Sequence, residues 1–434
     1  MSDVLTTRGR IRAMLEVEAA LAEVEAALGV IPAAAATAIG QAAHAERFDE
    51  PRLIEEARRA GNLAIPLVRS LTENVAAHDP DAARYVHWGA TSQDIIDTAL
   101  VLQLRESIPH IATDLERASA AAAHHATRHA GTIMAGRTWL QQSTPITFGL
   151  KAAGWFDALR RVQSNLQEAF ERTLVLQFGG ASGTLAALGS RGTDVADALG
   201  RRLQLRVPAM PWHAHRDRIA ALACALGVAA GTLGKIGRDL ALLAQTEVGE
   251  VHDGSSDSGG SSTMPQKHNP VCAATALAVA TRAPGLVATI LSAMPQEHER
   301  GLGNWQAEWD ALPELVVAVA ESADAIARIV EHLIVEPARM SANLETTHGL
   351  IMSEAITMRL AAKLGRAEAH AVVAAACRRA TVERRHLRDV LMSDSSVTTV
   401  LNQTEIADAL APERYLGATA TLITRALSAG RRGE

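Results

Sequence analysis

The sequence predicts an all-α fold built around an elongated bundle of long helices, flanked by two smaller helical domains. Hydrophobic residues make up 48% of the 434 residues, but aromatic residues make up only 3%. The core must therefore be built mainly from Ala, Leu, Val and Ile, which allow helices to pack closely. Apolar residues recur at helical spacing, whereas the alternation typical of strands is nearly absent. Any sheet should be confined to small hairpins.

The clearest helical pattern begins near His215. Apolar residues recur every seven positions from Ile219, and a second such row starts three positions later at Leu222. Two rows at this spacing form a seam for a neighbouring helix that crosses at a shallow angle. A helix from about His215 to Glu250 would be roughly 50 Å long at about 1.5 Å per residue. That length exceeds the need of one compact domain and indicates an elongated bundle.

Similar apolar spacing predicts four further long helices, over about residues 111–130, 146–176, 271–294 and 312–333. Pro145 should mark the start of the second, and Pro313 fits the first turn of the last, where a missing N–H costs nothing. The glycine-rich stretch from Gly179 to Gly192 matches neither GxGxxG nor GxxxxGK[ST]. We therefore interpret it as a connection between helices.

The length of the chain allows two or three domains. We expect a helical N-terminal domain over residues 1–110 and a central long-helix bundle over residues 111–345. The bundle includes a polar loop at residues 254–270, and a helical C-terminal domain follows over residues 346–434.

Charge and cysteine content exclude several classes of protein. The formal net charge of -6 provides no basic surface for nucleic acid. Cys224, Cys272 and Cys377 lie far apart and form no CxxC pair, so we expect reduced core thiols. The N-terminus has no apolar segment of the signal-peptide type. These features predict a cytoplasmic protein with no nucleic-acid and no membrane partner.

The first of three polar segments is HWGATSQDIIDTA, which begins at His87. Thr91 or Ser92 could cap a helix that begins near Asp94, which would leave one hydroxyl, His87 and Gln93 available. Exposed N–H groups and the dipole at a helix N-terminus both favour an anion. The segment therefore indicates a seat for a carboxylate.

The second polar segment is GRTWLQQSTPITFG, which begins at Gly136. Arg137, Thr138 and Gln141 cluster here around Trp139. For Arg137 we favour a structural role, in which a buried arginine network holds two helices together. Thr138 and Gln141 are the better candidates for binding.

The third segment includes GSSTMPQKHNP, from Gly260 to Pro270. It places two hydroxyls, a lysine and a carboxamide on a loop rich in Gly and Ser. Such a loop suggests chemistry on an anionic substrate, with the loop closing over it; a solvated linker is the alternative. Its sequel, QEHERGLGNWQAEWDALPE, places Arg300 and Trp305 near two glycines.

These segments, in this order, resemble the three signature regions of the fumarase, aspartase and adenylosuccinate lyase superfamily. The loop matches the GSSxMPxKxNP signature at every specified position, and the resemblance covers nearly the whole chain. Many lyases of the superfamily carry a catalytic histidine after the GRT motif, where this chain has Trp139. With tryptophan at this position, the chain resembles the lactonizing branch of the superfamily. An indole N–H donates a hydrogen bond but exchanges no proton near neutral pH, so Trp139 argues against elimination.

The resemblance implies a cycloisomerase that interconverts 3-carboxy-cis,cis-muconate and 4-carboxymuconolactone in the protocatechuate branch of aromatic catabolism. Two other reactions stay open: cycloisomerisation of 3-sulfomuconate, and a β-elimination like that of adenylosuccinate lyase. A helical scaffold without catalysis is a third alternative. The resemblance also implies a homotetramer with active sites shared between subunits, a small polycarboxylate substrate, and neither cofactor nor metal.

The resemblance also assigns roles to individual residues. Ser261 corresponds to the catalytic serine and should deliver a proton, while Lys267 should stabilise its alkoxide or the anionic intermediate. His87 is a candidate for the second proton carrier or an orienting group. Gln266 and His268 stand where relatives often have other residues, commonly arginine at the second position. The expected substrate-binding residues are Thr91, Ser92, Thr138, Trp139, Gln141, Asn269 and Arg300.

Overall fold

The computed structural model describes residues 3–255, 259–260 and 262–432, and these residues are mainly helical. The predicted all-α class is confirmed. In chain order the α-helices are α1 Thr7–Ala27, α2 Ala33–Ala42, α3 Glu50–Ala60, α4 Ala64–Ala76, α5 Ser92–Arg128, α6 Phe148–Thr173, α7 Gly192–Leu203, α8 Asp217–Ala244, α9 Val271–Ala293, α10 Asn304–Glu331, α11 Pro337–Glu345, α12 Ser353–Leu364, α13 Arg366–Glu383, α14 Leu387–Met392, α15 Ser395–Thr398, α16 Gln403–Ala409 and α17 Thr419–Arg432. The strands are β1 Ile133–Thr138, β2 Gln141–Thr147, β3 Val251–Asp253 and β4 Leu333–Val335.

The predicted long helices correspond to α5, α6, α8, α9 and α10. Helix α8 ends at Ala244, earlier than the predicted end near Glu250. Its 28 residues span about 42 Å at about 1.5 Å per residue. The chain then turns through Gly249, which has a φ of 59°, a conformation that glycine adopts without steric cost. Both predicted rows of apolar residues are buried along α8, but the helix is shorter than expected.

Helix α10 begins before its predicted start near residue 312. The side chain of Gln306 accepts a hydrogen bond from the backbone N–H of Gly303 at 3.0 Å. This bond satisfies a donor just ahead of the first turn at Asn304. Pro313 consequently lies inside the helix, and the prediction that it occupies the first turn is wrong.

Strands β1 and β2 form an antiparallel hairpin, as expected for a small sheet element. Pro145 lies within β2, opposite Ala135, so it does not mark the start of α6 as predicted. Strands β3 and β4 also pair antiparallel, but they come from distant parts of the chain. The second sheet is therefore not a hairpin.

The chain divides into two compact units. The first contains residues 1–114, 162–231 and 278–324, and the second contains residues 115–161, 232–277 and 325–434. The boundary predicted near residue 110 falls inside α5, whereas the one near residue 345 coincides with the end of α11. The division into three domains stays a prediction.

Among the described residues, α8 and α9 are long and apolar enough to cross a membrane by length and composition. The most apolar 18-residue window of α8 is 56% buried inside the protein, and that of α9 is 28% buried. Core helices of soluble proteins have the same composition, so this is weak evidence for a membrane span.

Candidate active site

The first polar segment lies at the start of α5, in the first unit. Thr91 directly precedes the helix, and its Oγ1 accepts a hydrogen bond from Nη1 of Arg300 at 3.1 Å. Asp94, the third residue of the helix, accepts the backbone N–H of Thr91 at its Oδ2 at 3.0 Å, as the third residue does in a capping box. Ser92 is half-buried in the first turn. Asp94 therefore binds the backbone at the helix start, and the Thr91 hydroxyl is engaged with Arg300.

Arg300 is held by neutral acceptors. Its Nε donates to Oε1 of Gln93 at 3.1 Å, and its Nη2 donates to the carbonyl oxygen of Ala181 at 2.9 Å. Among the described residues, no carboxylate pairs with this guanidinium. Because arginine carries five N–H donors, at least one on Nη1 remains for a ligand. A cation held in this way at a helix N-terminus suits a carboxylate. The structure thus brings together two predicted binding residues, Thr91 and Arg300.

Asp94 organises the backbone around this cation and was not among the predicted site residues. Its Oδ1 accepts from Nε2 of His213 at 2.7 Å and from the N–H of Gly179 at 2.9 Å. Its Oδ2 accepts from the N–H of Gly180 at 2.9 Å. The glycine-rich stretch is therefore a helix-to-helix connection, as interpreted, and it also contributes acceptors for Arg300. The sequence did not indicate this contact, because the glycine-rich stretch and Asp94 are far apart along the chain.

A buried ionic network lies beside Gln93 in the same unit. Arg216, with 1% of its side chain exposed, pairs with Asp97 at 2.7 Å and with Glu308 at 2.6 Å. Burial disfavours the charge on Arg216, but the two carboxylates outweigh it and raise its pKa. Trp305 donates its indole N–H to Oδ1 of Asp97 at 3.0 Å, so Trp305 is part of this network. The network supports Gln93, whose Nε2 donates to Asp97 at 3.1 Å.

His87 is paired with Glu18, a residue that the sequence did not single out. Nδ1 of His87 lies 2.6 Å from Oε1 of Glu18 in α1. Burial lowers the pKa of His87, but the charge and hydrogen bond of Glu18, with the charge of Asp94, outweigh burial and raise it. The residue also has a φ of 59°, which is uncommon outside glycine and often accompanies function.

The second polar segment forms the β1–β2 hairpin of the second unit. Thr138 and Gln141 face each other across the strands, and Trp139 and Leu140 form the two-residue turn. These turn residues have φ values of 51° and 63°, as a type I′ turn requires, although that turn favours Asn and Gly. The side chain of Trp139 is 97% exposed. Three predicted binding residues therefore lie together at the hairpin tip.

Arg137 has the structural role predicted for it, with different partners. It forms two parallel hydrogen bonds to the buried carboxylate of Glu250, at 2.9 and 2.7 Å. Nδ2 of Asn343 donates to the same carboxylate at 2.8 Å. Arg137 therefore joins the hairpin to the residue before β3, and does not hold two helices together as expected.

The polar loop follows β3. The backbone N–H of Asn269 donates to the carbonyl of Gly259 at 2.6 Å, and Gly260 forms an isolated bridge with His268. A Cβ on Gly259 would lie 2.1 Å from the carbonyl oxygen of Asn269, and its φ is 82°. Only glycine is compatible with this closure of the loop.

Two of the predicted loop residues lie in the described part of the chain. Lys267 is exposed, and its backbone N–H donates to the carbonyl of Met264 at 3.0 Å. Asn269 is half-buried at the base of the loop. Ser261, the predicted catalytic residue, lies outside the described residues.

Metal-binding clusters are absent from the described part of the chain, where no three His, Cys, Asp or Glu residues are grouped to hold an ion. Cys224, Cys272 and Cys377 form no disulfide within the described part of the chain. The absence of a cofactor stays a prediction.

Comparison with known proteins gives matches along the whole chain. A family profile described as lyase matches residues 1–285, and one described as the adenylosuccinate lyase C-terminus matches residues 349–426. A 3-carboxy-cis,cis-muconate cycloisomerase of Pseudomonas aeruginosa is 51% identical over 429 residues, 99% of this chain and 94% of the relative.

Solved structures agree with these matches. The 3-carboxy-cis,cis-muconate lactonizing enzyme from Pseudomonas putida has a TM-score of 0.94 and 47% identity, and the match covers 100% of this chain and 97% of that one. A fumarate lyase from Mesorhizobium sp. BNC1 has a TM-score of 0.89 and 37% identity, with 99% and 97% covered. The chain therefore belongs to the lyase family that its three polar segments resemble, the fumarase and aspartase superfamily.

Proposed function

We propose that this protein is a cycloisomerase that interconverts 3-carboxy-cis,cis-muconate and 4-carboxymuconolactone. Relatives that span nearly the full chain carry this name. The structural observation that carries the proposal is the environment of Arg300, whose charge is held by Thr91, Gln93 and backbone carbonyls. A substrate with three carboxylates supplies the anion that such a site lacks.

The reaction is an intramolecular conjugate addition. One carboxylate oxygen forms a bond to the carbon that bears the third carboxyl group, and the π bond between that carbon and the adjacent carbon breaks. Its electron pair moves to the adjacent carbon and is delocalised into the carboxylate there, which gives a dianionic aci-carboxylate. A proton then adds to that adjacent carbon. The reverse sequence is a β-elimination in which a carboxylate leaves.

In this mechanism Ser261 delivers the proton in the lactonizing direction. A serine hydroxyl is a very weak acid, so its action requires cations or N–H groups around it. Lys267 supplies a nearby positive charge on the same loop, and Asn269 binds a carboxylate or holds the loop. The half-buried Asn269 and the exposed Lys267 suit these two roles.

The remaining binding groups come from the hairpin and from α5. Thr138 and Gln141 are opposite neighbours at the hairpin tip and provide neutral donors for a substrate carboxylate. Trp139 offers an N–H donor where many lyases of the family have a proton-exchanging histidine. We assign Ser92 to the same anion site as Thr91.

We further propose that the enzyme is a cytoplasmic homotetramer with active sites shared between subunits. The apolar window of α9 is only 28% buried within one chain, and a bundle of helices from several subunits would cover its apolar surface. Light scattering should give the mass of a tetramer. Coexpression of two impaired variants, Ser261→Ala and Arg300→Gln, should restore part of the kcat/KM if separate subunits supply these residues. A monomer, or no restoration, would contradict the assembly.

The direct test is the loss of muconate diene absorbance when purified protein is added in the presence of a chelator. In D2O, one deuterium should enter the product at the carbon adjacent to the one that forms the new C–O bond. Ser261→Ala should abolish turnover, whereas the matched control Ser262→Ala should retain it. Full turnover by Ser261→Ala would exclude this serine as the proton donor.

Two substrates distinguish the alternatives. A higher kcat/KM for 3-sulfomuconate than for the carboxy substrate would reassign the enzyme to the sulfonated compound. Release of fumarate from adenylosuccinate would instead indicate elimination. If no muconate reacts at all, the cycloisomerase assignment fails.

A further inference from the structure

The contact between Glu18 and His87 indicates a functional role for Glu18, which is not among the residues of the proposed reaction. We propose that Glu18 is a positioning residue, which binds Nδ1 of His87 and leaves Nε2 to act on the substrate. This inference rests on the proposed function, because His87 is a candidate for the second proton carrier there.

The side chain of Glu18 has one hydrogen-bond partner among the described residues, His87. It lies on α1 with 1% of its surface exposed, and its Oε1 is 2.6 Å from Nδ1 of His87. Its Oε2 is buried and, among the described residues, has no hydrogen-bond partner. A carboxylate has acceptors only, so Nδ1 donates and Nε2 is the remaining basic atom of the neutral ring. This coupling of one ring nitrogen to a carboxylate selects the tautomer.

The backbone beside the ring is constrained as well. His87 has a φ of 59°, and Gly89, two residues later, has a φ of 72°. A Cβ on Gly89 would lie 2.7 Å from Cγ of Leu188, so the chain passes close to that side chain. Yet 18% of the His87 side chain stays exposed. The bond to Glu18 therefore fixes the Nδ1 edge of the ring, while part of the side chain remains exposed.

A second buried carboxyl group lies near Glu18 on the same helix. Glu25 lies two turns further along α1, on the same face, and both of its oxygens are buried without a partner among the described residues. Burial, together with the charge of Glu18, raises the pKa of Glu25 to about 8. Glu25 is therefore mainly protonated at neutral pH. Asp94 is the other charged group that acts on the ring, and its oxygens accept bonds from four donors.

Glu18→Gln tests the role with little change in shape. Glutamine still accepts the Nδ1–H bond but carries no charge. We expect kcat to fall on the order of 100-fold, less than the ~10⁴-fold known for triad carboxylates, with KM changed less than about threefold. The pH limb that reports His87, identified by its loss in His87→Gln, should move to lower pH, as expected when a neighbouring anion is removed.

Glu25→Gln is the matched control, because it makes the same change on the same helix face without a bond to His87. It should retain kcat and the position of this limb. Equal losses of kcat in both variants would show that the two carboxyl groups only contribute to the packing of α1. An unchanged kcat and pH profile in Glu18→Gln would overturn the inference.

Nitrogen NMR of ¹⁵N-histidine-labelled protein tests the pair without any substrate. The His87 signal, assigned by its absence in His87→Gln, should show a protonated Nδ1 and a basic Nε2 in the neutral ring, and Glu18→Gln should lower its pKa. If the wild type converts no muconate but shows this signature, the proposed function fails and the pair stands. If the opposite tautomer appears in an active enzyme, the positioning role fails alone.

Discussion

Arg137 binds both oxygens of Glu250, at 2.9 and 2.7 Å, and so joins the β1–β2 hairpin to the strand that leads into the polar loop. The carboxylate is fully buried, and Asn343 donates a further hydrogen bond to it at 2.8 Å. A guanidinium can form two parallel hydrogen bonds to a carboxylate. The pair therefore fixes the relative orientation of the Arg137 and Glu250 side chains as well as the distance between them. The part of the hairpin next to its tip and the strand before the loop therefore share one anchor.

Arg137→Lys should reduce kcat/KM by roughly 10- to 100-fold, because lysine offers a point charge and cannot form the two parallel bonds. The loss should appear in steady-state kinetics with the muconate. Arg117→Lys is the matched control, since Arg117 also binds both oxygens of a glutamate, Glu331, but at an exposed position. Similar losses in the two variants would contradict a special role for the hairpin anchor.

Arg300→Gln should lower kcat/KM on the order of 10² to 10³-fold, mainly through KM. Removing one member of a charged, hydrogen-bonded pair typically costs about 2–5 kcal/mol. Arg191→Gln removes an exposed arginine from the same unit, where it pairs with Asp194, and should leave the kinetics unchanged. A normal KM in Arg300→Gln would exclude a carboxylate contact.

Arg216→Met should destabilise the protein by about 3–5 kcal/mol, because two buried carboxylates, Asp97 and Glu308, would lose their cation. Urea unfolding at a fixed protein concentration measures the change. Arg282→Met removes an arginine from an exposed pair with Glu314 and should cost less than about 1 kcal/mol. An unfolding midpoint for Arg216→Met close to that of this control would refute the prediction.

Glu25→Gln should make the free energy of unfolding less dependent on pH. The pKa of Glu25 is raised from 4.5 to about 8 in the folded protein, so between these values the folded state holds a proton that the unfolded state has released. Stability therefore falls as pH rises through this window, by at most about 1.4 kcal/mol per pH unit for one proton. The variant should become more stable relative to the wild type from pH 5 to pH 8 in the same urea assay. A constant difference between them would show that Glu25 does not titrate in this way.

Much of the fold could be predicted from local patterns. The seven-residue rows that start at Ile219 and Leu222 correspond to a real helix, since apolar periodicity reports which face a helix buries. Helix ends were less predictable. Gln306 caps a helix well before Pro313, and β2 contains Pro145, because caps and strand pairing depend on a few specific contacts that periodicity does not record.

The candidate site shows the same division. Arg300 and Trp139 could be selected by sequence, because they lie in signature segments, and the family and proposed reaction follow from those segments. Glu18 could not be selected, since in sequence it is one glutamate among several in the first helix. Its burial and its contact with His87 arise when distant segments pack together. Short-range sequence patterns specify helices and motifs, but the environment that sets a charge, a tautomer or a binding contact is made by residues far apart along the chain.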